Sequence, residues 1–156
     1  MSATPAQLFA RARRYPLGAR VFSRLVTARA PYFASISPLF RELRAGHCEV
    51  FVRNHRAVHN HLGTVNAMAM CSMCELAAGT MLESSLPRSL RWIPRGMTTR
   101  YLRKAQTDLI ATATLAEPVP ADFSGNLLVP VQVHDLNGVV VMEADITMYL
   151  SPRKPA

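Results

Sequence analysis

The sequence predicts an α+β fold in which a curved antiparallel sheet wraps around one buried helix, with further helices before it. Three observations lead to this prediction. Residues 65–83 are mainly Ala, Met, Cys and Leu, which favour a helix that is apolar on nearly every face and is therefore buried all round. The segments that follow alternate apolar and polar residues, as strands do. The dipeptide Asn137-Gly138 favours a type I′ hairpin turn between two of those strands.

Prolines divide the segment that precedes the central helix. Residues 5–27 carry apolar side chains near helical spacing, and Pro16 predicts a break into two helices. These helices form an N-terminal extension, residues 1–30. Residues 37–44 and 47–53 then predict two strands joined at the Ala45-Gly46 turn.

The part of the chain after the central helix predicts a meander of four strands. They cover residues 90–104, 109–117, 127–134 and 139–150. The tripeptide Pro94-Arg95-Gly96 predicts a bulge or break in the first of them. The tail from Ser151 onward is expected to fray.

Length and composition indicate one domain, residues 1–156, with a proper core. Hydrophobic residues make up 49% and charged residues 18% of the chain, which is typical of globular proteins and excludes a disordered one. Three cysteines do not make a disulfide framework and fit a reducing compartment, so a cytoplasmic location is expected. The longest apolar run contains Asn66, Ser72 and Glu75, which argues against a membrane span.

The charge is strongly positive and unevenly distributed. The formal net charge is +8, and no acidic residue precedes Glu42. An anionic partner would suit this field, whether coenzyme A, nucleic acid or a membrane surface, although a solvated amphipathic helix is the commoner explanation. The basic residues before Glu42 include Arg11, Arg13, Arg14, Arg20, Arg24 and Arg29.

Glu75 is the most informative residue, because it places a carboxylate in the middle of the apolar helix. Burial raises the pKa of a carboxylic acid and makes it a stronger base once it ionises. Ser72 shares the helix face of Glu75 and could hydrogen-bond the carboxylate, and Gly79 leaves open space beside it. One interpretation is a catalytic carboxylate. The other is a glutamate at a subunit interface, neutral or paired with an arginine.

The start of the central helix is the second candidate feature. Backbone N–H groups in a first helical turn have no intrahelical acceptor, and with the helix dipole they form an oxyanion hole suited to an acyl carbonyl. Gly63 allows a tight turn into the helix, and Asn60 and Asn66 offer neutral donors near it. The two asparagines equally suit a purely structural role, as a helix cap or a loop closure.

Residues 60–68, Asn-His-Leu-Gly-Thr-Val-Asn-Ala-Met, with Glu75 nine positions after Asn66, resemble the signature of the hotdog-fold acyl-CoA thioesterases. In that family the pattern reads Asn, two residues, Gly-Thr-Val, His-Gly-Gly, and then an acidic residue nine after the His. Residues 98–103 are similar to the family's aromatic-Leu-Arg strand, and residues 131–152 to its final hairpin. The resemblance is strongest to a branch of unassigned function that is similar to the phenylacetyl-CoA-type thioesterases.

The resemblance implies a role for each matching position. Glu75 would be the nucleophile or general base, the N–H of Ala67 would polarise the thioester carbonyl, and Asn60 would hold substrate or water. Asn66 stands where the family has histidine and can still donate a hydrogen bond. Met68 stands where the family has its second glycine and adds bulk there. The further candidates for substrate binding are Gly63, Met68 and Ser72. Arg100, Arg103 and Lys104 stand where coenzyme A phosphates could be met, and they equally suit ordinary exposed charges on a strand.

The sequence therefore predicts an acyl-CoA thioesterase-like hydrolase that acts on a small or medium acyl-CoA. The family's active sites lie between subunits, so a homodimer or a dimer of dimers is expected. Coenzyme A enters as part of the substrate, and no cofactor, metal or nucleic acid is expected. The alternative is a non-catalytic hotdog protein that binds acyl-CoA or a fatty acid.

Two further patterns of cysteines and histidines favour a structural role over a redox or metal site. Cys71 and Cys74 spell C-x-x-C inside the apolar helix without a second pair, so both are expected to fill the core. His55, His59 and His61 have a spacing that suits zinc, but no convincing fourth ligand follows them.

Overall fold

The computed structural model describes residues 3–153, which contain three α-helices and six strands. The helices are α1 (Pro5–Ala12), α2 (Gly18–Arg29) and α3 (Ala67–Ser85), with 3-10 helices at Pro31–Ile36 and Arg56–Val58. The strands are β1 (Leu39–Arg44), β2 (His47–Val52), β3 (Leu90–Tyr101), β4 (Leu109–Thr114), β5 (Gly125–Asp135) and β6 (Val140–Pro152).

All six strands form one antiparallel sheet in the order β1-β2-β4-β5-β6-β3. Helix α3 packs against the inner face of this sheet, on β2, β4 and β5 above all. Every second residue of β4 and β6 is buried, because one face of each strand lies in the core. The predicted α+β arrangement, a curved sheet around a central helix after N-terminal helices, is confirmed.

Helix α3 is apolar on nearly all sides, and most of its residues are buried. It begins and ends two residues later than the predicted 65–83. At its start, the backbone N–H groups of residues 65 and 66 are bonded to other parts of the chain. The N–H of Val65 donates to Ala105, and the N–H of Asn66 donates to Val58. Asn66 then caps the helix, with its side-chain oxygen accepting the N–H of Met68 at 2.8 Å.

The N-terminal extension contains the predicted break at Pro16, with α1 ending before it and α2 beginning after it. The rings of Phe9, Phe22 and Phe40 stack edge-on at 5.1 and 5.2 Å and join both helices to β1. The hydroxyl of Ser23 accepts the N–H of Phe40 at 3.0 Å and so ties α2 to β1.

Gly18 lets the end of α1 lie directly against the start of α2. A Cβ at this position would lie 1.7 Å from the carbonyl oxygen of Ala12, so Gly18→Ala must push the two helices apart. We expect the substitution to lower the free energy of unfolding by about 2 kcal/mol, measured by urea unfolding. Gly96→Ala is the control, because a Cβ there meets nothing within 4 Å. Equal effects of the two substitutions would contradict this account of the helix contact.

Strand boundaries differ from the prediction at several ends. Strand β3 stops at Tyr101 and not at residue 104, because the N–H groups of Leu102 and Arg103 both turn to the carbonyl of Val141. The predicted irregularity in β3 is confirmed as a register shift between Pro94 and Gly96. Strand β4 ends at Thr114, three residues before the predicted end, while β5 extends over Gly125–Asp135.

The predicted fraying from Ser151 onward is wrong for the residues that the structure describes. Ser151 pairs with Arg91 in the sheet. The side-chain Nε of Arg153 donates to the carbonyl of Leu90 at 2.8 Å. The long strand β3 therefore provides partners for the end of β6. Residues 154–156, which the same prediction included, lie outside the described residues.

The turn between β5 and β6 is not the predicted type I′. Among its residues only Gly138 has a positive φ, of 77°, whereas a type I′ turn requires two. The N–H of Gly138 donates to Asp135, and the N–H of Asp135 donates to Val139. This is the pattern of a three-residue loop with a left-handed glycine.

Within residues 3–153, no helix has the length and apolar character that crossing a membrane requires.

Candidate active site

Glu75 lies in the middle of α3, on the wall of a cleft of about 760 Å³ between that helix, β3 and the N-terminal extension. Its side chain is half-buried, so the expectation of a fully enclosed carboxylate is wrong for a single chain. The alternating sheet covers the opposite sides of α3, and the side that carries Glu75 faces the cleft. Within residues 3–153 the carboxylate makes no hydrogen bond and no ion pair, and is therefore free to meet a ligand.

Two expected neighbours of Glu75 have other partners. The hydroxyl of Ser72 donates back to the carbonyl of Met68 at 2.8 Å and does not bind the carboxylate. Gly79 does not leave open space, because the indole of Trp92 occupies it, and a Cβ there would lie 2.7 Å from the ring. Trp92 is held in turn by a 2.9 Å hydrogen bond from its Nε1 to Glu83.

The first turn of α3 presents two amides, those of Ala67 and Ala69, that donate to no group among residues 3–153. Asn66 occupies the N–H of Met68 between them. Ala67 itself is half-buried. An amide that is free, fixed in direction and placed at the positive end of a helix dipole can bind a carbonyl oxygen that becomes negative.

Asn60 closes the loop before α3. Its Oδ1 accepts the N–H groups of Leu62 and Thr64, at 2.9 and 3.2 Å, and its Nδ2 donates to the Thr64 hydroxyl at 2.9 Å. Gly63 supports the same loop with a φ of 73°, a value that favours glycine. Both asparagines therefore have the structural roles that were the alternative to substrate binding.

Ala67 and Glu75 are too far apart to act on one carbonyl within a single chain. Eight residues of helix separate them, which is about 12 Å along the axis. Met68, two turns before Glu75, shares its face and is 63% exposed. Within one chain, the amide at the start of α3 and the carboxylate of Glu75 are therefore too far apart to form one site.

The three cations predicted to bind phosphate differ in whether their side chains already have partners. Arg100 donates to Glu143 at 3.1 Å and to Asp145 at 3.0 Å, and these bonds raise the pKa of its guanidinium, that to Asp145 most. Arg100 is thus committed to β6. Arg103 and Lys104 lie exposed after the end of β3, and their side chains make no hydrogen bond or ion pair in the described part of the chain.

Cys74 fills the core as expected, whereas Cys71 is only partly buried. Cys71 and Cys74 are free thiols, and burial raises the pKa of Cys74, which opposes a redox or metal-binding role. The sulfur of Cys71 lies 3.3 Å from the Tyr101 hydroxyl, and this contact raises the pKa of the tyrosine. His55, His59 and His61 form no group of three possible metal ligands in residues 3–153.

One cluster was missed by sequence reasoning. On the β1–β2 hairpin, the Nε2 of His47 lies 3.2 Å from a carboxylate oxygen of Glu42 and 3.5 Å from one of Glu49. The strand register was the only signal for it, since Glu42 and Glu49 are paired across the hairpin. Like charges directly opposite each other on a sheet are unfavourable, and the imidazole of His47 lies between these two carboxylates.

The contribution of the N-terminal extension to the cleft was also missed. Leu8, Val26 and Phe33 line the cleft together with Glu75, although they lie far from it in sequence. Helical spacing predicted Leu8 and Val26 on the apolar side of a helix without showing what that side contacts, and Phe33 lies in a stretch for which no regular pattern was predicted.

Several solved structures are similar to this chain. A crystal structure of a genomics target has 44% sequence identity and a TM-score of 0.84, and the match covers 96% of this chain and 99% of that one. A Pseudomonas aeruginosa protein described as a probable thioesterase has 20% identity and a TM-score of 0.75, over 89% and 97% of the two chains. A thioesterase family protein from Silicibacter pomeroyi has 16% identity and a TM-score of 0.71, over 84% and 96%.

These neighbours confirm the hotdog fold. The family model of a domain of unknown function, DUF4442, matches residues 18–150, and the chain belongs to that family. No curated protein matches the chain.

Proposed function

We propose that this protein hydrolyses coenzyme A thioesters of small or medium acyl groups, with Glu75 as the catalytic carboxylate. The observation that carries the proposal is the state of this side chain. It is half-buried, faces a ligand-sized cleft, and has no partner within residues 3–153. Structure alone seldom explains an unpaired carboxylate on an otherwise apolar helix.

The reaction would use two groups. The Glu75 carboxylate takes a proton from water as the water attacks the thioester carbon, or attacks that carbon itself to form an anhydride that water then cleaves. The N–H of Ala67 donates to the carbonyl oxygen as negative charge develops on it. The C–S bond breaks and coenzyme A leaves as a thiolate, which takes the proton that Glu75 removed from water or, in the anhydride route, a proton from solvent. These residues need no cofactor and no metal, and Arg103 and Lys104 are the free cations for the coenzyme A phosphates.

The site would be completed by a second copy of the chain. Because about 12 Å separate Ala67 and Glu75 along α3, the amide of one copy would have to meet the carboxylate of the other, and an antiparallel arrangement of the two α3 helices would allow this. The edge strand β3 supports this assembly, because its outer side has no neighbour in the sheet. Exposed apolar side chains lie on or beside the same region, namely Met68, Ile93, Tyr101 and Leu102. A dimer or a dimer of dimers follows, in a reducing compartment such as the cytoplasm.

The test is release of free thiol from a panel of acyl-CoA thioesters, combined with light scattering. We expect turnover of small and medium acyl-CoAs by a protein that is at least a dimer. A monomer at micromolar concentration would contradict the shared site, since neither half is complete without the other.

A second candidate function is binding of acyl-CoA without hydrolysis, and the start of α3 favours it. Met68 adds an exposed side chain where the thioesterase pattern has glycine, and the side-chain oxygen of Asn66, in the histidine position, is occupied by the helix cap. Thermal stabilisation by acyl-CoAs with no thiol release would select this candidate.

A further inference from the structure

The cleft beside Glu75 has the size and lining of a site for an apolar chain. Its volume of about 760 Å³ falls within the range of roughly 300–1,000 Å³ that is usual for small-molecule sites. Each wall contributes an apolar side chain: Leu8 from α1, Val26 from α2, Phe33 from the first 3-10 helix, Leu76 from α3 and Trp92 from β3. Arg29 and Arg91 also line the cleft and are exposed.

A polar cluster lies two turns further along α3. Glu83, about 12 Å from Glu75 along the helix axis, accepts the indole N–H of Trp92 at 2.9 Å and pairs with Arg153 at 3.5 Å. Arg153 is anchored by its bond to the carbonyl of Leu90. An apolar chain that runs along α3 from Glu75 therefore meets charged groups after about 12 Å.

A second hollow of about 300 Å³ adjoins the first one. The two share Ala3, Pro5, Glu83 and Arg153, so the Glu83–Arg153 pair stands between them. Both side chains of this pair are about half exposed, and an exposed ion pair contributes little to stability. Loss of the ion pair itself therefore costs little stability, although removal of Glu83 also removes the acceptor of the Trp92 indole N–H.

We infer that this cleft holds the acyl chain of the thioester, and that the N-terminal extension and the Glu83–Arg153 pair set the chain length that fits. With the carbonyl at Glu75, the distance of about 12 Å to Glu83 accommodates roughly eight to ten carbons of an unbranched chain. The inference rests on the proposed function, which supplies the thioester, and it adds the part of the substrate that the cleft would select.

The test compares two tryptophan substitutions on neighbouring residues of α2. Val26 lines the cleft, whereas Leu25 is 66% exposed and does not line it. The kcat/KM of each protein is measured from butanoyl-CoA to hexadecanoyl-CoA. We expect Val26→Trp to lower the ratio of the decanoyl to the butanoyl value by about tenfold or more, while Leu25→Trp leaves that ratio as in the parent. Equal ratios in the three proteins would overturn the inference.

Two further variants test the inference in case Val26→Trp does not fold. The second of them also tests the end of the cleft at Glu83. Leu8→Trp narrows the same cleft from α1, at a half-exposed position that tolerates bulk, and should shift the ratio in the same direction. Glu83→Ala opens the way to the second hollow and should raise kcat/KM for tetradecanoyl-CoA relative to decanoyl-CoA. An unchanged chain-length profile in both would overturn the inference even if Val26→Trp does not fold.

Binding separates this inference from the proposed function. Dissociation constants of the same acyl-CoAs are measured by calorimetry in the Glu75→Gln background, with and without Val26→Trp. If the parent protein hydrolyses nothing but Val26→Trp weakens binding of decanoyl-CoA, the acyl site stands and the hydrolase proposal fails. If the parent hydrolyses acyl-CoAs but neither binding nor rate depends on Val26 or Leu8, the hydrolase proposal stands and the acyl site fails.

Discussion

Glu75→Gln should lower kcat for acyl-CoA hydrolysis by about 10³-fold while leaving the free energy of unfolding within about 0.5 kcal/mol of the parent value. Glutamine has nearly the shape of glutamate but can neither accept a proton from water nor attack a carbonyl. The side chain makes no hydrogen bond or ion pair within residues 3–153, so little folding energy is lost with the charge. Thiol release and urea unfolding measure the two quantities.

Glu117→Gln is the matched control for this substitution. Glu117 is an exposed carboxylate after the end of β4 and does not line the cleft. Its loss should change neither rate nor stability. Parent-like turnover by Glu75→Gln would show that Glu75 is an interface residue without a chemical role, and the proposed mechanism would then be wrong.

Ala67→Pro should lower kcat by about 10²-fold or more, because it removes the one backbone N–H proposed to hold the carbonyl oxygen. Apart from the lost N–H, the backbone at this position suits proline. Ala67 is the first residue of α3, where proline is well tolerated. Asn66 has φ of −64° and ψ of 141°, the extended conformation that a following proline requires.

Ala67→Gly is the comparison, because it keeps the N–H and removes only a methyl group. Kinetics and thermal unfolding of the two variants separate chemistry from folding. The glycine variant should turn over at least about 10²-fold faster than the proline variant, with both folded. Similar rates in the two would mean that the Ala67 amide is not the donor.

The local features of the fold could be predicted from the sequence because each depends on residues close together in the chain. The apolar composition of α3, the break at Pro16 and the irregularity at 94–96 are of this kind, and all three are confirmed. The type of the turn at Asn137-Gly138 was predicted wrongly, because this dipeptide suits two types of hairpin loop. The backbone hydrogen bonds of Asp135 determine which of the two forms. The end of β6 was missed because its partner is the distant strand β3.

The candidate site was predictable in its residues but not in its geometry. The pattern of residues 60–68 located the helix start and Glu75. It did not show that the side-chain oxygens of Asn60 and Asn66 accept hydrogen bonds from nearby N–H groups. Nor did it show that Trp92 fills the space beside Gly79. It also did not show the wall built by α1 and α2, because the periodicity of Leu8 and Val26 specifies an inward direction without naming the surface opposite.

The free side of β3 has a consequence for the chain before it is assembled. A strand of 12 residues with an unoccupied row of backbone donors and acceptors is a template on which any other extended segment can add. Its register shift at Pro94 interrupts that template. A newly synthesised chain is therefore most prone to aggregate along the two regular parts of β3 on either side of this shift, Leu90 to Ile93 and Met97 to Tyr101, until they are covered.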